Sequence, residues 1–463
     1  MRHTNKWFVL VLLCGSLAAA CARDNPRAQK SPPPPEADVP LGPNSLGLTF
    51  TPMPDWFHFR TAAEVQTWID EDDVKAMMEH AWELWGGLTS PTTQTVKDEK
   101  VTYPIFETWV DEFKVFPPPK SLARAPKESI HLFDLPRQLH LGQSRRPKLA
   151  AAKEDGSPAD SLGLVTVKYT KEIFEHVQKN QYYKTEVMNT LNQSWDNSAP
   201  PTPLAGRKVK NFPNTSIMLK PTYQVISGTS ATLLPYWAGP ANSSNPAVPG
   251  VKTWTKKMLL IPPGVTATPI RDVPIVKIER FYNFKLNQIQ VDYLNSLGQG
   301  TFKVGDYAIL VAMHVSSREI DNWTWQTFWW SLEKPKIPEA VRHRVVSPFD
   351  NYASAVGYAF TTGPNSPTGL NVLCFNPYLE ADFDNDTFAL TEQVGIESNC
   401  ISCHRAATWP PPSFPSKPKA QYFTGNGLLR SSHPYFTGTT KVDFLWGFAL
   451  DVLPPPVPPV QHP

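Results

Sequence analysis

The spacing of apolar residues predicts two helices near the start of the globular part. Thr61 and Glu64 have the spacing of a capping box, in which the N-cap side chain and the side chain three residues later each bond to a backbone amide of the other. A second helix is predicted to begin at Asp72 or Asp73 and to end at a pair of glycines. Its apolar residues recur every three or four positions: Val74, Met77, Met78, Ala81, Trp82 and Trp85.

One longer helix is predicted from Lys171 to about Trp195, with Thr170 as its N-cap. Few other long elements are expected, because the chain contains 49 prolines among 463 residues. Proline removes a backbone donor and fixes one backbone angle, so this content predicts many ordered loops.

Between residues 215 and 330 the pattern changes to short apolar or alternating runs separated by glycine and proline. Such runs are typical of strands, and their number predicts an antiparallel sheet or sandwich. The runs are Ile217–Leu219, Tyr223–Ile226, Lys257–Ile261, Pro274–Ile278, Phe281–Val291 and Tyr307–Val315.

A further strand is predicted over residues 322–330. The two-residue period of a strand places Trp323, Trp325 and Trp329 on one face. This tryptophan stripe has two interpretations. It is either a sheet face packed on the core or an aromatic wall beside a bound cofactor or substrate.

Residues 1–20 have the pattern of an export signal. Arg2 and Lys6 supply positive charge, residues 7–13 are apolar, and residues 17–20 end the segment with small side chains. The apolar run is too short to span a bilayer. We therefore expect an exported protein.

The residues after this signal predict an attachment to a membrane. Residues 17–21 resemble a bacterial lipobox, which implies lipidation of Cys21, although Leu17 lies one place further from the cysteine than is usual. The alternative is ordinary cleavage after Ala20 or Ala22. Residues 21–45 are rich in proline and predict an extended tether.

The strongest chemical signal is the C-x-x-C-H sequence at residues 400–404. Cys400 and Cys403 lie about one helical turn apart, so both thiols can face one edge of a porphyrin, and His404 follows at once. A C-x-x-C pair alone is also found in redox sites and in halves of zinc sites. Neither needs the adjacent histidine, and the sequence holds no second C-x-x-C or C-x-x-H to complete a zinc tetrahedron.

Over residues 399–405 the chain resembles the haem attachment site of c-type cytochromes. The resemblance implies one covalent haem c, attached to Cys400 and Cys403, with His404 as the proximal iron ligand. A backbone carbonyl within residues 409–412 is the expected acceptor for the other ring nitrogen of His404.

The distal side of the iron is open to several interpretations. Small c-type cytochromes usually have a distal methionine after the motif, whereas this chain has no methionine after Met313. His433 is the candidate within reach along the chain, since His462 is next to the chain end. Met313 and His314 compete with it and point to opposite faces of a strand. His433 without any ligand role is the remaining alternative.

Charge and cysteine content narrow the function classes. A formal net charge of +2 argues against a nucleic-acid partner held by electrostatic attraction. Of the five cysteines, Cys14 leaves with the signal and Cys21, Cys400 and Cys403 have predicted roles. Cys374 remains without a disulfide partner, so we expect it to be a buried apolar residue.

The predicted fold is α+β, with N-terminal helices, a central antiparallel β-rich region and a C-terminal haem segment of short helix and loop. The predicted divisions are a signal peptide at 1–20, a tether at 21–45, an α+β region without a predicted role at 46–345 and a c-type haem-binding domain at 346–463.

The predicted function is that of a monohaem c-type cytochrome in the bacterial periplasm, lipid-anchored to a membrane, which transfers single electrons. Its partner is then a redox protein or a small electron donor or acceptor. The first alternative is a haem enzyme, peroxidase- or oxygenase-like, with an open distal site. A haem-based sensor or binding module is the second.

Overall fold

In a computed structural model of the chain, the structure describes residues 41–117, 164–239, 242, 254–296, 301–359, 374, 376–380, 400–411 and 430–450. All of them belong to one compact unit, residues 35–463. The predicted signal peptide, Cys21 and nearly all of the tether lie outside the described residues. Among the helices within these ranges, none has the length and apolar character needed to cross a membrane.

The helices are short except for α2 and α5. Their bounds are α1 Ala62–Asp70, α2 Val74–Thr89, α3 Glu112–Val115, α4 Lys171–Asn180, α5 Thr185–Asn197, α6 Gln288–Ser296, α7 Glu339–Arg342, α8 Pro377–Glu380, α9 Cys400–Arg405 and α10 Gly447–Leu450.

The strands are concentrated between residues 164 and 356. Their bounds are β1 Pro91–Val96, β2 Glu99–Pro104, β3 Val110–Asp111, β4 Leu164–Val165, β5 Lys168–Tyr169, β6 Ile217–Ile226, β7 Thr232–Pro235, β8 Lys257–Ile261, β9 Ile275–Lys277, β10 Asn283–Lys285, β11 Tyr307–Ser317, β12 Thr324–Trp330, β13 Tyr352–Val356, β14 Thr408–Trp409 and β15 Thr440–Lys441.

One antiparallel sheet organises the fold. In the described part of the chain its strand order is β13-β12-β11-β6-β5-β3, with β10 also paired to β11 and β4 to β6. A separate three-stranded sheet, β7-β8-β9, contains the parallel pair β8–β9. The predicted α+β class with an antiparallel β-rich centre is therefore confirmed.

Helix α2 covers one face of this sheet. The Trp85 ring stacks on Phe328 of β12 with a centroid distance of 4.3 Å, and Trp82 meets the same ring edge-on at 5.6 Å. These rings belong to the first core cluster, which contains Trp82, Trp85 and Phe328. Met313 of β11 is fully buried in the same cluster. The capping box at Thr61 and the N-cap at Asp73 form as the sequence predicts. Spacing thus predicted both N-terminal helices, but the predicted end of the second at the glycine pair is wrong, since α2 continues through Gly86 and Gly87 to Thr89.

The single long helix predicted over residues 171–195 is wrong. Helix α4 ends where Gln181 adopts a left-handed backbone conformation with φ 53°, and α5 begins four residues later. Thr170 does occupy the N-cap position, but its hydroxyl accepts a hydrogen bond from the Ile217 amide at 3.2 Å instead of capping the helix. Strand pairing to β6 outcompetes the local cap.

The strand predicted over residues 281–291 is also only partly present. Strand β10 covers three residues, and α6 follows because Asn287 and Gln290 cap each other's backbone amides, both at 2.9 Å. This capping pair is visible in the sequence as Asn-x-x-Gln, so the signal was there and was missed.

The tryptophan stripe needs one correction. Trp323 lies in a turn with φ 58°, and β12 begins only at Thr324. Trp325 and Trp329 do share a face, with Thr327 between them. This face lies opposite to the one that α2 covers. Strand β13, from the predicted haem-binding region, pairs with β12 of the preceding region, and the domain division at residue 345 stays a prediction.

Candidate functional site

The C-x-x-C-H motif forms the short helix α9 against the sheet face that carries Trp325. A second core cluster, separate from the one beneath α2, contains Trp325, Cys400 and Ile401. Ile401 is fully buried in it. The Cys400 thiol is nearly buried and donates to the Cys374 carbonyl, with a sulfur–oxygen distance of 3.6 Å. The side chain of Cys403 lies outside the described residues, so only its backbone position in α9 is defined.

Cys374 is buried, as the sequence predicts. Its own thiol lies 3.8 Å from the Ala355 carbonyl of β13. Cys374 therefore connects the motif helix to the sheet: its sulfur contacts β13, and its carbonyl accepts from Cys400.

His404 has a fixed orientation and a defined tautomer. Its Nδ1 lies 2.8 Å from the Phe444 carbonyl oxygen. Because a carbonyl only accepts, Nδ1 must carry the proton, and Nε2 then carries the lone pair that an iron ligand needs. The predicted acceptor within residues 409–412 is wrong, since the acceptor comes from the turn before α10.

The surroundings of His404 keep the imidazole neutral. Burial, and to a smaller extent the positive charge of Lys220, lower the pKa of His404 to about 4, against the opposing effect of the Phe444 hydrogen bond. A histidine must be neutral to bind a metal. The ring is therefore in the binding-competent protonation state at neutral pH.

Trp325 forms one wall of the site. Its ring centroid lies 4.3 Å from that of His404, with an angle of 44° between the planes. The Trp325 indole nitrogen donates to the Asn322 carbonyl at 2.8 Å, which fixes the indole. Trp329, in contrast, packs with Val165 and Leu379 in a separate apolar cluster. The two tryptophans on this face thus have different surroundings.

A group of polar residues shares this face with Trp325. Lys220 lies opposite His314 in the β6–β11 register, and His314 lies opposite Thr327 in the β11–β12 register. The His314 Nδ1 is 2.8 Å from the Thr327 hydroxyl. Burial, then Lys220, then His404 lower the pKa of His314 well below its usual value.

Asn376 completes this group from outside the sheet. Its side-chain nitrogen donates to the Thr327 hydroxyl at 2.7 Å and to the Phe328 carbonyl at 3.0 Å. Lys220, Thr327 and Asn376 carried no sequence signal as site residues. Strand pairing brings Lys220 and Thr327 to His314, and Asn376 joins them from a segment outside the sheet.

The two predicted distal ligands lie in different places. Met313 is fully buried on the face that α2 covers, in the first core cluster. His433 lies near the end of the motif helix, since the hydroxyl of neighbouring Tyr435 donates to the Ala406 carbonyl at 3.0 Å. The His433 Nδ1 accepts from the Tyr435 amide at 3.1 Å. Both ligand assignments stay predictions.

The donor set fits a covalently attached haem on the proximal side. It provides a nearly buried thiol at Cys400 and a neutral, oriented imidazole with its Nε2 lone pair at His404. Among the described residues, no group of three or more His, Cys, Asp or Glu side chains is placed to hold a metal ion. No family model, curated protein or solved structure matches this chain.

Proposed function

We propose that this protein is a monohaem c-type cytochrome that transfers single electrons. Cys400 and Cys403 hold one haem c through thioether bonds, and His404 binds its iron through Nε2. The observation that carries the proposal is the hydrogen bond from His404 Nδ1 to the Phe444 carbonyl, which selects the ligand tautomer in a motif already typical of haem attachment. The bound haem supplies an iron that alternates between ferrous and ferric.

The protein's own residues orient and shield this ligand. Phe444 fixes the ring plane and increases the donor strength of the imidazole, as second-shell carbonyls do for metal-bound histidines. Trp325 packs beside the ring and excludes water from that side. Burial favours the lower charge of a ferrous centre and therefore raises the reduction potential. A stronger imidazole donor favours ferric iron and therefore lowers it.

The proposal includes the compartment. The signal-like residues 1–20 and the Cys21 lipobox support export to the bacterial periplasm and a lipid anchor on a membrane. The partner is then another exported redox protein or a small electron carrier, and a net charge of +2 gives no support for nucleic acid.

Covalent attachment is tested by expression in a host with a c-type maturation system. The haem should remain on the polypeptide through denaturing electrophoresis and acid–acetone extraction. Cys400→Ala and Cys403→Ala should each remove one thioether bond, and Cys374→Ser is the matched control because that thiol is outside the motif. Extractable haem, or bound zinc in its place, would overturn the proposal.

The ferric spectrum of the same preparation distinguishes the haem-enzyme alternative from the electron-transfer protein. A ferric spectrum of six-coordinate low-spin iron supports electron transfer. High-spin iron that binds cyanide, and carbon monoxide when reduced, supports an enzyme with an open distal site and contradicts the proposal as stated.

A further inference from the structure

We propose that His314 is the distal axial ligand of the haem iron, bound through Nε2 and oriented by Thr327 and Asn376. The inference rests on the haem proposal above and assigns the sixth coordination position of the same site. It is supported by the placement of His314 on the sheet, by the hydroxyl partner of its Nδ1, and by the contrast with the two other candidates.

The placement follows from strand register. His314 and Ser316 lie on one face of β11, and Ser316 is directly opposite Trp325 on β12. Trp325 contacts His404 with a centroid distance of 4.3 Å. The His314–Thr327 pair is therefore two pairs along the register from the Ser316–Trp325 pair, which makes it the next pair on the same face. Lys220 lies directly opposite His314 on β6.

The contacts of the Thr327 hydroxyl permit the tautomer that iron binding through Nε2 needs. The Asn376 side-chain nitrogen, 2.7 Å away, can only donate, and its orientation is fixed because the Asn376 oxygen accepts from the Tyr378 amide at 3.0 Å. One lone pair of the hydroxyl is therefore used by Asn376. The single proton of the hydroxyl can go either to the Met313 carbonyl, 3.4 Å away, or to His314 Nδ1.

The second lone pair of Thr327 can accept from His314 Nδ1, 2.8 Å away, when that nitrogen carries the proton. The lone pair of His314 is then on Nε2. This is the tautomer of His404, in which a hydrogen bond from Nδ1 prepares Nε2 for metal binding.

His433 has the opposite tautomer. Its Nδ1 accepts from the Tyr435 amide, so the proton of the neutral ring is on Nε2, and binding iron through Nε2 requires this cap to break. Met313 lies on the opposite sheet face, packed with Phe328 beneath α2. Of these three candidates, His314 lies on the sheet face that carries Trp325, and its Nδ1 contact permits an Nε2 ligand.

The experiment compares ferric spectra of the full-length holoprotein with His314→Ala and His433→Ala. The wild type should be low-spin, with the electron paramagnetic resonance signal of two axial imidazoles and no sulfur-to-iron charge-transfer band. His314→Ala should lose the low-spin signal with the haem still attached, and added imidazole should restore it. His433→Ala should leave the spectrum unchanged.

A second variant keeps the assignment testable if the His314→Ala protein does not fold. His314→Met should fold with its distal ligand exchanged and show a sulfur-to-iron charge-transfer band. Thr327→Val tests the positioning role: competition by added imidazole should become about 10- to 100-fold easier, as for other second-shell losses, and Thr327→Ser should reverse this.

Each contrary result has a distinct meaning. A low-spin spectrum retained in His314→Ala, or lost in His433→Ala, overturns the assignment of His314 while leaving covalent haem intact. A charge-transfer band in the wild type also overturns it. Haem that is extracted from the wild type instead refutes the proposed function, so the two failures are distinguishable.

Discussion

Replacing Asp443 with asparagine tests how the C-terminal turn holds the proximal ligand in place. Asp443 immediately precedes Phe444, whose carbonyl orients His404, and its carboxylate bonds to Arg318 at 3.2 Å and to the Phe212 amide at 3.0 Å. Both charged side chains are almost fully buried, Arg318 at 4% and Asp443 at 6% exposure. The pair therefore joins the turn to the sheet region beside Trp325.

The expected cost follows from burial. Breaking a buried ion pair by removing one partner typically costs about 3–5 kcal/mol, since the remaining charge is left uncompensated. Asparagine keeps one acceptor oxygen and Arg318 keeps its exposed ion pair with Asp321, so we expect the lower end, about 3 kcal/mol, or roughly a 100-fold change in the unfolding equilibrium constant. Asp321→Asn is the matched control. Asp321 also binds Arg318, at 2.9 Å, but is 85% exposed, and its loss should cost at most about 1 kcal/mol.

The assay is urea unfolding of the holoprotein followed by far-ultraviolet circular dichroism, with ferric spectra of the folded variants. Asp443→Asn should lower the midpoint strongly and broaden the low-spin signal, because the Phe444 carbonyl is no longer held. If Asp443→Asn and Asp321→Asn lose stability equally, within about 0.5 kcal/mol, the reasoning from burial is refuted.

Three further predictions are made for stability, pH dependence and anchoring. Trp85→Ala removes the ring stacked on Phe328 and should cost about 3–5 kcal/mol in urea unfolding, whereas a change below about 1 kcal/mol would contradict the packing described. His404 has a folded pKa of about 4, below the usual value near 6.5. A haem-free Cys400→Ala/Cys403→Ala protein should therefore keep its full stability above pH 6.5 and lose part of it as the pH falls toward 4. If adding His404→Gln leaves the slope of unfolding free energy against pH unchanged, the prediction is contradicted. Cys21→Ser should abolish fatty-acid labelling and release the protein from membranes, and a wild-type mature N-terminus at or beyond Ala22 would exclude the anchor.

Local signals in the sequence predicted local structure well. The capping box at Thr61 and the N-cap at Asp73 involve residues three positions apart, so the sequence contains both partners of each bond. The break at Gln181 was not predictable in the same way. Its left-handed conformation occurs at a residue that usually avoids it, and no glycine marks the place.

The candidate site likewise combines residues that a local sequence signal identifies with residues that only the tertiary structure brings together. The motif at 400–404 identifies the two thiols and the proposed proximal imidazole because they are neighbours in the sequence. The acceptor for His404 is 40 residues further on, and Thr327 and Asn376 approach His314 only through strand pairing and a loop. Contacts of this kind depend on tertiary structure, so a single sequence does not contain them in readable form.

The hydrogen bond between His404 and Phe444 has a consequence for biogenesis. In the proposed cytochrome, the thioether bonds need only the five-residue motif, which is synthesised before the turn that contains Phe444. We therefore expect haem attachment and the orientation of His404 to be separable. A nonsense mutation between residues 412 and 443 should yield a polypeptide that still stains for haem, but whose His404 ring lacks its orienting acceptor. Haem staining alone would score such a truncated product as a normally matured protein.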